Sequence, residues 1–206
     1  MFSKIKWSFI FSIISSILLV SIYAFKWSLV EIITVFLMIP LYGFVWLFFI
    51  VCLVFSLTSL LNFKSMGIKC FAPLGVNVIA LILVAYVPFT MLWLKADYMI
   101  NKEQRELVVA KVLNGELQPN VNYNASLINL NAGYSGLSRG GNDIVVEDHE
   151  GLTYVFFFTF RGVLDNYSGY LYVPKGGSPE MYGDLDESEF TQIKHIESNW
   201  YLVSHR

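Results

Sequence analysis

The chain has 206 residues, 55% of them hydrophobic, 17% aromatic and only 15% charged, with a mean hydropathy of +0.55. These values exclude a disordered chain and are too apolar for an ordinary soluble globule. Charge divides the chain. Residues 1–96 carry six lysines against the single acid Glu31, net +5, while residues 97–206 carry eight basic residues against fifteen acids, net −7. The expectation is a membrane anchor over residues 1–96 followed by a water-soluble domain over residues 97–206. An acidic domain repels phosphate backbones, so nucleic acid is excluded as a partner.

A helix needs about 20 apolar residues to cross the hydrocarbon core. Residues 7–25 meet that need, bounded by Lys6 and Lys26. This stretch is longer than a cleaved leader usually carries, and Ile22 is a poor partner for a cleavage site at Ala24. The next apolar run, from Leu29 to Leu61, is too long for one upright span and too short for two. One span over residues 39–61 is expected, preceded by an interfacial turn or tilted segment, with Pro40 marking the change of direction. Residues 71–94 form the third span, with Pro73 in its first turn and Pro88 kinking its far end. Lys4, Lys6, Lys64 and Lys69 fall on one side of this arrangement and Lys26, offset by Glu31, on the other, where Lys95, Lys102 and Arg105 beyond the third span weaken the bias. A long domain translocates largely regardless, and the balance favours a cytoplasmic amino terminus and a carboxyl domain outside. The spans hold no ionisable group of the kind that marks a transporter or proton relay. Their small residues, among them Ser12, Ser15, Ser16 and Ser21 and the stretch from Gly75 to Ala80, favour close helix packing and are compatible with a homo-oligomer formed through the spans. Cys52 and Cys70 both lie in the anchor, so no disulfide framework is expected in the domain.

No flexible tether separates the third span from the domain's first helix, so residues 76–113 are expected to form a nearly continuous helical column. At most it kinks at Pro88 and breaks near Asn101, a credible N-cap. Asn114-Gly115 is a helix stop, and Leu107, Val108, Val112 and Leu113 form the apolar face. The pattern then turns to β. Strands are expected over residues 125–130, 144–147, 153–161, 170–173, 190–196 and 200–204. A hairpin turn lies at Asp148-His149-Glu150-Gly151, and another at Glu197-Ser198-Asn199. Residues 153–161 are apolar on both faces, as in a central strand covered on both sides, and the helix face is expected to cover one of them. The fold class is therefore three transmembrane α-helices followed by a small α+β domain of one helix and five or six mostly antiparallel strands.

The motif census is nearly empty. No nucleophile stands beside a base, and His149, His195 and His205 lack the spacing of metal ligands. The glycine-rich stretches 133–141 and 175–178 lack the Gly-Lys-Ser/Thr of a phosphate loop and read as turns, although Arg139 is the best placed cation for a small anion. Residues 161–169 are the most distinctive. An ion pair between Arg161 and Asp165 clamping a hairpin is the plainer expectation; the functional one makes Arg161, Asp165, Asn166 and Tyr167 the polar rim of a binding surface. The acids Asp184, Asp186, Glu187 and Glu189 lack the order of a calcium loop and read as a solvated segment. No cofactor, metal or enzymatic activity is called for.

The leading functional expectation is a non-enzymatic protein of a bacterial inner or cell membrane, whose partners are the bilayer and a protein or envelope ligand bound outside the cytoplasm. Two alternatives stand beside it. One is a membrane effector whose β domain senses a small ligand on the cytoplasmic side; the other is a membrane immunity protein against a toxin.

Overall fold

The computed structural model describes residues 2–162, 166–184 and 190–205. They divide into two compact units, Met1–Trp93 and Leu94–Arg206.

The first unit is helical because an apolar chain in hydrocarbon has no other way to satisfy its own backbone. Helix α1 spans Phe2–Ala24, α2 Lys26–Ser59, α3 is the short turn Phe63–Met66, and α4 spans Ala72–Tyr86. Three apolar stretches, Lys6–Ala24, Lys26–Asn62 and Gly67–Tyr86, are long enough to cross a membrane. The expected change of direction ahead of the second span is present, but Thr34 makes it, with φ 68° and ψ 162°, and the helix begins at Lys26 rather than near residue 39. Pro40 lies inside α2. It withholds one N–H from the Phe36 carbonyl, whereas a positive φ at a β-branched residue ends the run of helical torsions outright. Pro88 likewise breaks the third segment instead of kinking it. Val87 is extended, with ψ 120°, so the apolar span ends at Tyr86 and a new helix, α5, starts at Phe89.

Helix α1 packs along both α2 and α4. Leu19, Ile22, Met38, Val45, Phe49 and Ala80 form the apolar centre, while large apolar side chains such as Ile32, Phe44 and Leu47 point outward, as lipid requires. One polar hub ties the three helices. Fully buried Asn77 of α4 donates to Ser12 Oγ of α1 at 3.2 Å and to Ser56 Oγ of α2 at 3.0 Å, and its carbonyl accepts from Ser16 Oγ at 3.2 Å. Two of the serines read as small packing residues, Ser12 and Ser16, are therefore partners of an amide.

In the second unit, α5 (Phe89–Leu113) runs unbroken through Asn101, which is no cap: its side-chain amide donates to Asp97 Oδ1 one turn earlier, at 3.1 Å. The helix ends as its sequence dictates, with Gly115 at φ 74° and the Glu116 N–H returning to the Lys111 carbonyl at 2.9 Å. Strands β1 (Leu127–Asn129), β2 (Asp143–His149), β3 (Leu152–Arg161), β4 (Tyr167–Tyr172), β5 (Phe190–Glu197) and β6 (Trp200–His205) form one antiparallel sheet in the order β1-β2-β3-β4-β6-β5. The β2–β3 turn is the expected hairpin. Glu150 and Gly151 both have positive φ, 53° and 79°, the pair of torsions that matches the strand twist. Register shifts place an extra residue on the bulged strand at Thr159 of β3 and at Thr191 and Ile196 of β5.

The sheet is covered on both faces, with β3 in its interior. Helix α5 lies on one face, where Tyr98 packs on Tyr170 and Trp200, and Phe157 packs on Trp200. The covering residues of α5 are Tyr98, Arg105, Val108, Val109 and Val112. Leu107, expected on that face, is 51% exposed, and Leu113 is exposed as well. Leu107 lies two residues, roughly 200° of helical rotation, from Arg105 at the centre of the buried stripe. On the opposite face Tyr154, Phe156, Phe158, Leu171, Val173 and Val203 are sealed by Tyr182 and Met181 from the 3-10 turn Pro179–Asp184, with Tyr182 stacked on Phe156. Gly169 of β4 lies beside the β3 bulge, where a Cβ would fall on the Phe157 carbonyl and the Phe156 ring.

Two variants probe these contacts. Asn77→Leu removes three interhelical hydrogen bonds in hydrocarbon and should cost the bundle about 2 kcal/mol in SDS-titration unfolding. Gly169→Ala should lower the domain's melting temperature well beyond the effect of Gly151→Ala, whose Cβ meets open space and whose cost is confined to the left-handed backbone at φ 79°.

Candidate functional site

The polar side chains of the domain collect at one end of the sheet. Asn129 closes β1 opposite Asp143, which opens β2; Arg161 closes β3 opposite Tyr167, which opens β4; and Tyr167 faces His205 at the end of β6. Asn129 Nδ2 donates to Asp143 Oδ1 at 2.6 Å, and Arg161 Nη1 to Asp143 Oδ2 at 3.1 Å. Arg161 also lies over the Phe158 ring at 5.2 Å, and the Tyr167 and His205 rings stack at 4.8 Å.

The glycine-rich loop between β1 and β2 is fastened to this end. The Arg139 N–H donates to the Phe158 carbonyl at 2.8 Å, the Ser138 hydroxyl accepts from the Phe158 N–H at 2.9 Å, and the same hydroxyl donates to the Asp143 carbonyl. Gly140, at φ 74°, brings its backbone so near Arg161 that a Cβ there would stand 2.9 Å from the arginine's own Cβ. These contacts set the loop as a fixed wall of the sheet, consistent with the expectation of turns.

Below the wall lies a buried ion pair. Arg105 is 1% exposed. Its Nη2 meets Asp97 Oδ2 at 2.6 Å, its Nε and Nη2 donate to the Leu137 carbonyl at 3.1 and 3.0 Å, its Nη1 donates to the Asp97 carbonyl at 3.2 Å, and its plane covers the Tyr170 ring at 4.4 Å. Asp97 Oδ1 is shared with Arg139 Nη2 at 3.4 Å. The two arginines of the rim are thus each backed by a carboxylate, Arg139 by Asp97 and Arg161 by Asp143, and keep 26% and 39% of their side chains in water.

The structure therefore brings together Arg139, Arg161 and Tyr167 from the sequence candidates, with Asn166 immediately before β4. Asp165, and with it the Arg161–Asp165 clamp, lies outside the described residues, as do Asp186, Glu187 and Glu189. The sequence reading missed Asp97, Arg105, Asp143 and His205. One signal was present for Arg105: it falls in the same helical stripe as Tyr98, Val108, Val109 and Val112. The remaining histidines sit apart, His149 beside Glu147 at 3.4 Å and His195 with its Nε2 3.0 Å from the Ser198 carbonyl oxygen. Among the described residues no group of three or more His, Cys, Asp or Glu side chains is placed to hold a metal ion.

A second ionic contact fastens the β5–β6 turn to α5. Lys102 Nζ lies 2.5 Å from Glu197 Oε1, which also accepts from the Tyr98 hydroxyl at 3.0 Å. The lysine, and secondarily the phenol, holds the Glu197 carboxyl below its ordinary range. Burial, reinforced by Glu197, pushes the Tyr98 phenol far up; burial and the nearby Asp97 do the same to Tyr170, and burial and Glu147 to Tyr182.

Set beside known proteins, the chain matches no family model, no curated protein and no solved structure. The chemistry of the site accordingly rests on its geometry, which gives two expected outcomes. Asp97→Ala strands a buried guanidinium and should cost about 3–5 kcal/mol in denaturant unfolding, whereas Arg139→Gln, which removes a longer and part-exposed contact, should cost about 1 kcal/mol or less. Raised phenol pKa values mean that the folded domain holds protons the unfolded chain releases. Stability is therefore undiminished below pH about 10 and falls as the pH rises beyond it. Phenolate absorbance from Tyr98, Tyr170 and Tyr182 should appear together with unfolding, and Tyr98→Phe should shrink that late step.

Proposed function

We propose that this protein is a non-enzymatic membrane protein of a bacterial cell, with its amino terminus in the cytoplasm and its α+β domain outside, where the polar end of the sheet binds a protein or envelope ligand bearing negative charge. The observation that supports this reading is the presence of two arginines at this end of the sheet, Arg139 and Arg161, each part-exposed and each oriented from behind by a carboxylate. Arginines fixed in this way lose little side-chain entropy on meeting a carboxylate or phosphate, and their planar forks match its geometry. Tyr167 stacked on His205 adds a flat apolar surface beside Arg161. The rest of the domain is acidic, so an anionic ligand is drawn to this rim and turned away elsewhere. The outward placement rests on the four lysines that flank the spans on the amino-terminal side and on the odd number of spans.

Two measurements test the proposal. A phosphatase fused after Arg206 should be active and a green fluorescent protein at the same position dark; the reverse result overturns the orientation. A photo-crosslinking residue at position 167 should capture a discrete partner in cells. Arg139→Gln with Arg161→Gln should reduce that capture at least tenfold while the domain's melting temperature stays within a few degrees. Capture unaffected by the double variant, or equal from position 194 on β5, removes the rim as the binding surface.

A further inference from the structure

The helical unit carries a cleft of about 280 Å³ where its chain is most irregular, lined by Tyr23 at the end of α1, Lys26 at the start of α2, Tyr42 farther along α2, and Val84, Pro88 and Met91 around the α4–α5 break. Its place along the chain is informative. Tyr23 and Lys26 stand where the first apolar stretch ends and the second begins, and Val84 and Pro88 flank the end of the third. The tryptophans of an interfacial belt lie beside it: the Trp27 and Trp93 rings are 6.2 Å apart, and the Lys26 ammonium stands 5.0 Å from the Trp27 ring. The cleft thus opens at the level of the lipid headgroups, on a bundle whose outer surface is apolar.

We infer that this cleft holds the headgroup phosphate of an anionic phospholipid. Lys26 supplies the cation, and among the described residues no carboxylate lies within ion-pair distance of it. Two phenols supply neutral donors. The Tyr23 oxygen accepts from Trp46 Nε1 at 3.3 Å, which leaves its own O–H to point elsewhere, and the Tyr42 ring meets Tyr23 edge-on at 5.5 Å. A lysine with two phenols is donor chemistry suited to phosphate oxygens, and none of the three offers a negative charge to repel them. Val84, Val87 and Met91 form an apolar side along which the start of an acyl chain can run. Charge decides the class of lipid: a lysine in a cleft whose lining holds no carboxylate favours a headgroup of charge −1 over a zwitterion.

Native mass spectrometry of the full chain, extracted from nanodiscs of phosphatidylcholine containing phosphatidylglycerol, tests the inference. The unmodified protein should retain one phosphatidylglycerol in preference to phosphatidylcholine. Lys26→Gln should weaken that retention about tenfold, Tyr23→Phe with Tyr42→Phe severalfold, and Lys26→Arg should preserve it. Lys64→Gln with Lys69→Gln, on the opposite flank of the spans, should leave it unchanged. Equal retention in the Lys26→Gln protein overturns the site, and so does an equal loss in the Lys64→Gln, Lys69→Gln protein, which would mean diffuse attraction. Millimolar glycerol phosphate should fail to displace the lipid; displacement would identify a soluble anion as the occupant. SDS-titration midpoints matching the unmodified protein show that the variants are folded, and a Lys26→Gln protein that unfolds early while Lys26→Arg does not would assign the lysine to the bundle's stability and overturn the inference.

Discussion

A guanidinium removed from water must have its N–H groups answered, and the domain is arranged around one that is. Arg105 takes a carboxylate, two backbone carbonyls and an aromatic face from three separate places: the preceding turns of its own helix, the β1–β2 loop and strand β4. Hydrophobic burial alone leaves a helix free to slide or rotate over a sheet by a fraction of a turn at small cost, because apolar contact is not directional. The bonds to Arg105 are directional. They fix the rotation of α5 about its axis, and with it which of its residues face Phe157, Tyr170 and Trp200. The same bonds hold Leu137, and through it the loop that carries Arg139 to the rim. Stability and the geometry of the candidate site therefore share one source.

The helical unit obeys the same rule in a different solvent. Lipid drives no hydrophobic association between helices, so packing and hydrogen bonds must decide which helix meets which. Asn77 spends both amide hydrogens and its carbonyl on serines of α1 and α2. Any slip of one helix by a turn would leave these groups unmatched in hydrocarbon, where each costs several kcal/mol. Asn77 sets the register of the bundle, and its apolar neighbours supply the bulk.

Much of the architecture was legible in the sequence, because it arises from periodicity and from residues with strong backbone preferences. The three apolar stretches, the glycine stop after α5, the Glu150-Gly151 turn and the two-sided strand at residues 153–161 all belong to that class. Thr34 did not, since no residue type announces a positive φ at a β-branched position. Pro40 is a conspicuous breaker, and it turned out to be tolerated. Asn101 has the composition of a cap, yet its partner is Asp97 one turn back, a contact that depends on the helix already running through. The site was half legible. Arg161 and Tyr167 flank a stretch of turn-forming composition and so stood out; Asp143 and His205 join them only through strand pairing, which a linear reading does not supply. Arg105 was concealed by the habit of assigning charged residues to the surface, although its stripe is the buried one.

The bulges on β5 bear on how such a protein survives in its own membrane. Confinement to a plane crowds copies of a chain together and aligns them, so an open sheet edge would repeatedly meet its like in a favourable orientation. Strand β5 is the outer strand of the sheet at that edge, and the extra residues at Thr191 and Ile196 twice throw its outward N–H and C=O groups out of step. At the other edge, the side chain of Asn120 both accepts from the Asn129 N–H and donates to its carbonyl, occupying the groups a neighbour would seek. Among the described residues neither border offers a straight run of free backbone, and crowded copies can touch there without zipping into a continuous ribbon.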